Sequence, residues 1–142
     1  MRLLFPDTNV WLALSAADHA HFKPAWAWYE ALGSEEILCF CRQTQLGLLR
    51  LLTTRSVMGE STQTQQEAWQ VYEMWREQES AGFLNEPGGV DSLLKASAMT
   101  TEASPKLWND AYLSAFAEAA GLTLVTFDRA LAGKAKGAIM LG

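Results

Sequence analysis

Three aspartates stand where this chain could do phosphate chemistry. Asp7 ends the apolar run Leu3-Leu4-Phe5-Pro6, Asp128 ends Leu122-Thr123-Leu124-Val125-Thr126-Phe127, and Asp110 lies in the mostly apolar stretch from Pro105 to Ala120. A carboxylate directly after a buried strand lies at the sheet's C-terminal edge, where open α/β sheets place their ligands. Asp110 shares a helical face with Leu113, Ser114 and Ala117, so it is turned towards protein. A buried carboxylate without compensation tends to take up a proton. One helix, Gly121 and one strand connect Asp110 to Asp128, and because helix and strand run antiparallel the two acids can converge. Asp7 joins them if its strand is parallel and close by. Three carboxylates at one pole repel one another unless a divalent cation lies between them. Oxygen ligands alone suit Mg²⁺ or Mn²⁺, and such a site hydrolyses phosphodiesters with a metal-bound water as nucleophile. Taken singly, Asp7 and Asp128 fit equally well as N-cap or turn residues.

The elements that must position these acids can be read in order. After the first strand a short helix starts near Thr8 and covers Val10 to Ala16. A polar connection, Asp18 to Pro24, precedes a helix over Ala25 to Leu32, with Pro24 at its start and Gly33 past its end. Ile37 to Cys41 reads as a second buried strand and Thr44 to Thr53 as a leucine-rich helix. Thr54 to Thr64 is a turn-rich excursion. Thr64 and Glu67 form a capping box for a helix to about Glu79. Gly82 to Asn85 reads as a short strand and Val90 to Met99 as a weaker helix. Ser104 and Pro105, as N-cap and first residue, open the helix of Asp110. A helical turn around Arg129 to Leu131 and a last strand, Ala138 to Leu141, complete the chain. Strands alternating with helices predict one α/β domain over residues 1–142, with a mostly parallel central sheet flanked by helices.

Composition narrows the function classes. With 142 residues, 49% hydrophobic and 11% aromatic, the chain is long and apolar enough for a real core. Its net charge of -5 provides no global basic field, so contact with nucleic acid has to rest on a local patch or on metal ions. No apolar run approaches the ~20 residues of a membrane span, and Asp7 cuts the first run too short for a signal peptide. A cytoplasmic protein with Cys39 and Cys41 as free thiols is expected. His19, His21, Cys39 and Cys41 lack the spacing of a zinc finger. No serine lies in a nucleophile elbow, and no Gly-rich phosphate loop is present. Trp26, Trp28, Trp69 and Trp75 read mainly as core, some of them as interface residues. The cations available for RNA phosphates are Arg42, Arg50, Arg55, Arg129, Lys134 and Lys136, of which Arg129, beside Asp128, is the best placed.

Asp7-Thr8-Asn9 after an N-terminal strand, Trp108-Asn109-Asp110-Ala111 on a late helix, and Thr126-Phe127-Asp128-Arg129 after the next strand resemble the PIN-domain ribonucleases. The similarity is strongest to the VapC-type toxins of bacterial toxin–antitoxin pairs. Thr44 to Leu52 and Val57-Met58-Gly59 are similar to one branch of that family, so the resemblance spans essentially the whole chain. It implies a Mg²⁺- or Mn²⁺-dependent RNA endonuclease, a homodimer and a small antitoxin protein that blocks the site. Asp7, Asp110 and Asp128 match the metal-pocket acids, and Thr8, Asn9 and Thr126 match supporting positions. The family usually has Glu where this chain has Gln45, on a helix face with Leu48, Leu49 and Leu52. A neutral amide there removes one negative charge and weakens metal affinity. Two rivals remain. An Asp-nucleophile phosphohydrolase expects a second Asp at position 9, which is Asn9. A non-catalytic, degenerate PIN-fold binding module is kept open by Gln45.

Overall fold

Alternate residues of a strand face opposite sides of a sheet, and here each side carries its own core. On the first strand, β1 (Arg2–Pro6), Leu4 packs into one core and Phe5 into the other. The remaining strands are β2 (Glu36–Phe40), β3 (Ala81–Phe83), β4 (Thr123–Thr126) and β5 (Ile139–Met140). In the computed structural model, which describes residues 1–142, they lie in the order β3-β2-β1-β4-β5, and every neighbouring pair is parallel. The sheet is therefore all parallel, buried on both faces, as βαβ crossovers require.

Eight helices supply those crossovers. They are α1 (Thr8–Ser15), α2 (Phe22–Glu30), α3 (Arg42–Leu52), α4 (Arg55–Met58), α5 (Gln65–Arg76), α6 (Val90–Ala98), α7 (Leu107–Ala120) and α8 (Arg129–Lys134). The larger core joins α1, α3 and α5 to the sheet through Trp11, Leu48, Leu52, Tyr72, Leu38 and Phe40. The smaller core packs Leu113, Phe116 and Ala117 of α7 and Leu131 of α8 against Phe5 and Leu124. No helix is long and apolar enough to cross a membrane.

Local chemistry explains where boundaries depart from the expected ones. Ser104 and Pro105 do not begin α7. The Ser104 carbonyl accepts from Leu107 N–H at 3.1 Å, so Pro105 occupies the second position of a turn, a place its fixed φ favours, and the helix starts at Leu107. The second helix begins at Phe22, which puts Pro24 third; that is tolerated because the first four N–H groups of a helix have no intrahelical acceptor. Its C-cap is Ala31, and Gly33 is not left-handed. Cys41 belongs to the cap of α3 rather than to β2, and the excursion after Thr54 contains α4 and a 3-10 turn over Gly59–Ser61. The capping box of Thr64 and Glu67 forms with both of its hydrogen bonds, at 3.1 and 2.9 Å.

Trp11 is the centre of the larger core. It is fully buried, stacked on Phe40 at 3.7 Å between centroids and edge-on to Trp75 at 5.3 Å. Its indole N–H has no partner, and an unpaired buried donor costs about 1–3 kcal/mol. Trp11→Phe should therefore destabilise by only about 1 kcal/mol in urea unfolding, against about 3–5 kcal/mol for truncation to alanine. A loss of alanine size in the Phe variant would contradict this offset.

Candidate active site

The order β3-β2-β1-β4-β5 reverses direction between β1 and β4. Crevices outside the carboxyl ends of strands at such a switch point are where ligands bind. Asp7 follows β1, and Asp128 lies two residues beyond β4. Pro6 pairs in register with Val125, and Asp7 N–H donates to Val125 O at 2.9 Å, so the ladder itself delivers Asp7 beside β4.

Asp7 is buried and caps α1, its Oδ1 accepting from Val10 N–H at 3.1 Å. Its Oδ2 accepts from the Thr126 hydroxyl. Burial is the largest influence on this carboxyl and outweighs the hydrogen bonds from Thr126 and Val10; with the nearby Asp128 charge it leaves the group above the usual carboxylate range. The fully buried Thr126 hydroxyl has a second role, accepting from Asp128 N–H at 2.9 Å. One side chain thus ties Asp7 to the backbone of Asp128.

Asp128 is exposed and caps α8, with Oδ1 accepting from Ala130 N–H at 2.8 Å and Leu131 N–H at 3.2 Å. Asp110 is half-buried in the first turn of α7. Burial first, then repulsion from Asp128, raise its pKa, and Lys134 partly offsets them. Asp128 therefore acts electrostatically on both other acids. It is the acid common to both, but no three His, Cys, Asp or Glu side chains are gathered closely enough to enclose an ion as they stand.

Beside the acids lies a cleft of about 820 Å³ whose walls include Thr8, Asn9, Arg42, Arg50, Asn109 and Tyr112. The Tyr112 hydroxyl donates to Glu86 at 2.7 Å, and burial together with this carboxylate pushes its pKa well up. Arg129 is exposed at the start of α8 and does not line the cleft. Gln45 is buried, and its Oε1 accepts from Arg42 Nη1. A second hollow, about 360 Å³ between α1, α2 and α5, is walled by Leu14, Trp26, Tyr29 and Trp75 and has no acid, histidine or cysteine. Cys39 and Cys41 are buried free thiols, with Cys39 pushed up to about 11 by burial. They form no metal group with His19 and His21.

Of the cations available for phosphates, Arg42 and Arg50 rather than Arg129 line the cleft. One feature escaped the sequence reading. Gly47, inside α3, lies so close to Thr8 that a methyl placed there would be 2.6 Å from Thr8 Oγ1 and 2.8 Å from Thr8 Cγ2. A glycine inside a helical run costs about 1 kcal/mol against alanine, and that cost was the available signal of a packing role.

The sequence model of the PIN domain matches residues 4–137. The chain is a PIN-domain protein. Among its curated relatives is Ribonuclease VapC41 of Mycobacterium tuberculosis, 39% identical over 132 residues that cover 90% of both chains. The fold is also that of VapC20 of Mycobacterium tuberculosis, described as a Sarcin-Ricin loop cleaving toxin, at a TM-score of 0.63 and 16% identity over 92% of this chain and 93% of that one. VapBC2 of Rickettsia felis, solved bound to a DNA fragment from its promoter, gives a TM-score of 0.66 at 10% identity over 97% and 96%.

Proposed function

We infer that this PIN protein is a divalent-metal-dependent RNA endonuclease that acts as the toxin of a toxin–antitoxin pair. The observation that carries the reading is the junction of β1 and β4, where Thr126 joins Asp7 and Asp128 in a chain 39% identical to a named ribonuclease. Asp7, Asp110 and Asp128 are the proposed metal ligands, with Thr8, Asn9, Thr126 and Arg129 in support and Gln45 as the neutral fourth position.

The donor chemistry fits a hard cation. All three acids offer oxygen only, and Asp7 and Asp110 are both held above the usual range by burial and by Asp128. A cation would relieve that burden. Asp128 keeps Oδ2 free of the cap, since both α8 bonds fall on Oδ1. Mg²⁺ or Mn²⁺, when bound, would supply an activated water and neutralise charge on the leaving oxygen. The protein's own part is to orient the Asp7 carboxylate through Thr126 and Val10 and to present Asn9, Asn109 and the arginines of the cleft to the strand. The exposed apolar side chains of Leu46, Trp69, Val57 and Met74 offer surface for an antitoxin and for a second copy in a homodimer, within the cytoplasm.

A non-catalytic PIN module is favoured by one feature, the commitment of the Gln45 carbonyl to Arg42. Incubation of the purified protein with RNA in Mg²⁺, Mn²⁺ or EDTA decides between them. Cleavage in either metal and none in EDTA is the expected result; intact RNA in all three, from folded protein, favours the module.

A further inference from the structure

We propose that Arg42 is a binding residue for a phosphate of the RNA strand, and that Gln45, being neutral, is what leaves its charge available. This rests on the RNA-cleaving reading above. Arg42 is exposed, yet its guanidinium is fixed from two sides. Nη1 donates to Gln45 Oε1, and Cζ lies 4.9 Å from the centre of the Phe83 ring. Neither neighbour carries charge. The molecule's one ion pair is Arg2 with Glu36, so Arg42 has no carboxylate to neutralise it. A guanidinium has five N–H donors in a rigid fork; one is used by Gln45, and the ring takes only a face. The rest are available in the cleft beside Asn9 and Asn109, where a phosphate would be gripped by two parallel bonds.

Two consequences follow from the geometry. Holding the side chain in advance removes part of the ordering cost that a free arginine meets on binding. Arg50, in the same cleft, has neither a side-chain hydrogen bond nor a ring beneath it, so Arg42 is the prearranged cation. A chain of net charge -5 depends on such local charges to hold a polyanion. A carboxylate at position 45 would turn the Arg42 contact into a buried-side ion pair and cancel the charge offered to the strand. The carboxyl that would strengthen a cation site would therefore weaken the hold on RNA.

The test is equilibrium binding of a single-stranded, fully 2′-O-methylated RNA oligonucleotide in EDTA, followed by anisotropy from about 50 to 200 mM KCl. Arg42→Ala should weaken binding on the order of tenfold at low salt, one charge-assisted contact. It should also reduce the slope of log affinity against log salt by about 0.7. Arg76→Ala, whose guanidinium also faces Phe83 at 5.7 Å but lies outside the cleft, should match the wild type. Gln45→Glu should lose slope as Arg42→Ala does, whereas Gln45→Leu, which removes the bond and adds no charge, should keep it. An Arg42→Ala protein with the wild-type slope overturns the proposal, as does a wild type that does not bind this RNA; a Gln45→Glu protein that binds as the wild type overturns the part given to the amide. Wild type that binds in this way but leaves unmodified RNA uncut overturns the nuclease reading alone. Cleavage by wild type together with an unchanged slope in Arg42→Ala overturns only this inference.

Discussion

Asp7→Asn is expected to lower metal-dependent RNA cleavage on the order of 10³-fold, as removal of a group acting at the reacting centre does, while leaving the fold intact or more stable. The two effects separate because the capping and the charge of Asp7 are distinct. The second oxygen, which now accepts from Thr126, becomes in Asn an NH2 that donates to the Thr126 hydroxyl oxygen instead. As N-cap of α1 Asp7 needs one oxygen for Val10 N–H, and asparagine caps a helix about as well as aspartate. As a buried carboxylate it carries a charge that its surroundings penalise. The folded carboxyl lies above its unfolded value of 3.8, so the folded chain binds that proton more tightly. Stability therefore falls as pH rises from the unfolded value through the folded one, and stays at the lower level above it. At neutral pH the metal-free Asp7→Asn protein should melt above the wild type, and the difference should shrink near pH 4. Added Mg²⁺ should raise the wild-type midpoint by mass action and leave the variant unmoved. An Asn variant that cuts at close to the wild-type rate and remains sensitive to EDTA would remove Asp7 from the site.

The parts of this site that the sequence discloses are those governed by short-range rules. An apolar run ending in Asp announced β1 and its edge, and the same pattern announced β4; the parallel register of Pro6 with Val125 then makes the two ends adjacent. Thr64 and Glu67 were legible because a capping box is contained within four residues. Pro105 misled because proline suits the second position of a turn as well as the first of a helix, and only the Ser104–Leu107 bond distinguishes them. What stayed hidden depends on residues far apart in the chain. The Thr126 hydroxyl reaching Asp7 spans 119 positions. The seat of Arg42 on Phe83 requires α3 and β3 to meet before the ring and the guanidinium can. Gln45 shares a helix face with Leu48, Leu49 and Leu52, and the bond from Arg42 is a pairing that a helical wheel of apolar residues cannot show.

Gly47→Ala tests whether the spacing of α1 and α3 holds the site in place, and it should cost both stability and activity. In an ordinary helix this change would stabilise, since alanine is the better helix former by about 1 kcal/mol. Here the new methyl meets Thr8 Oγ1 at 2.6 Å and Cγ2 at 2.8 Å, separations that real side chains do not sustain, and Cβ at a tight 3.2 Å. Thr8 is β-branched and both of its γ atoms meet the new methyl, so turning χ1 to another staggered position still leaves one of them there, and the strain passes to the backbone of α1 or α3. Overpacking of this kind costs about 1–3 kcal/mol, which exceeds the helix-propensity gain. Thr8 is the first residue of α1, directly after Asp7, so a shift of α1 displaces the carboxylate relative to Thr126 and Asp128. Misplacement by about 1 Å is worth on the order of 10²-fold in rate. The expected protein is folded, melts below the wild type and cleaves RNA about a hundredfold more slowly. Thr8→Ser in the Gly47→Ala background removes the methyl that the new group meets at 2.8 Å, and it should recover part of both losses. An alanine variant more stable than the wild type and equally active would mean that α1 and α3 move apart without cost, and that the site does not depend on their close approach.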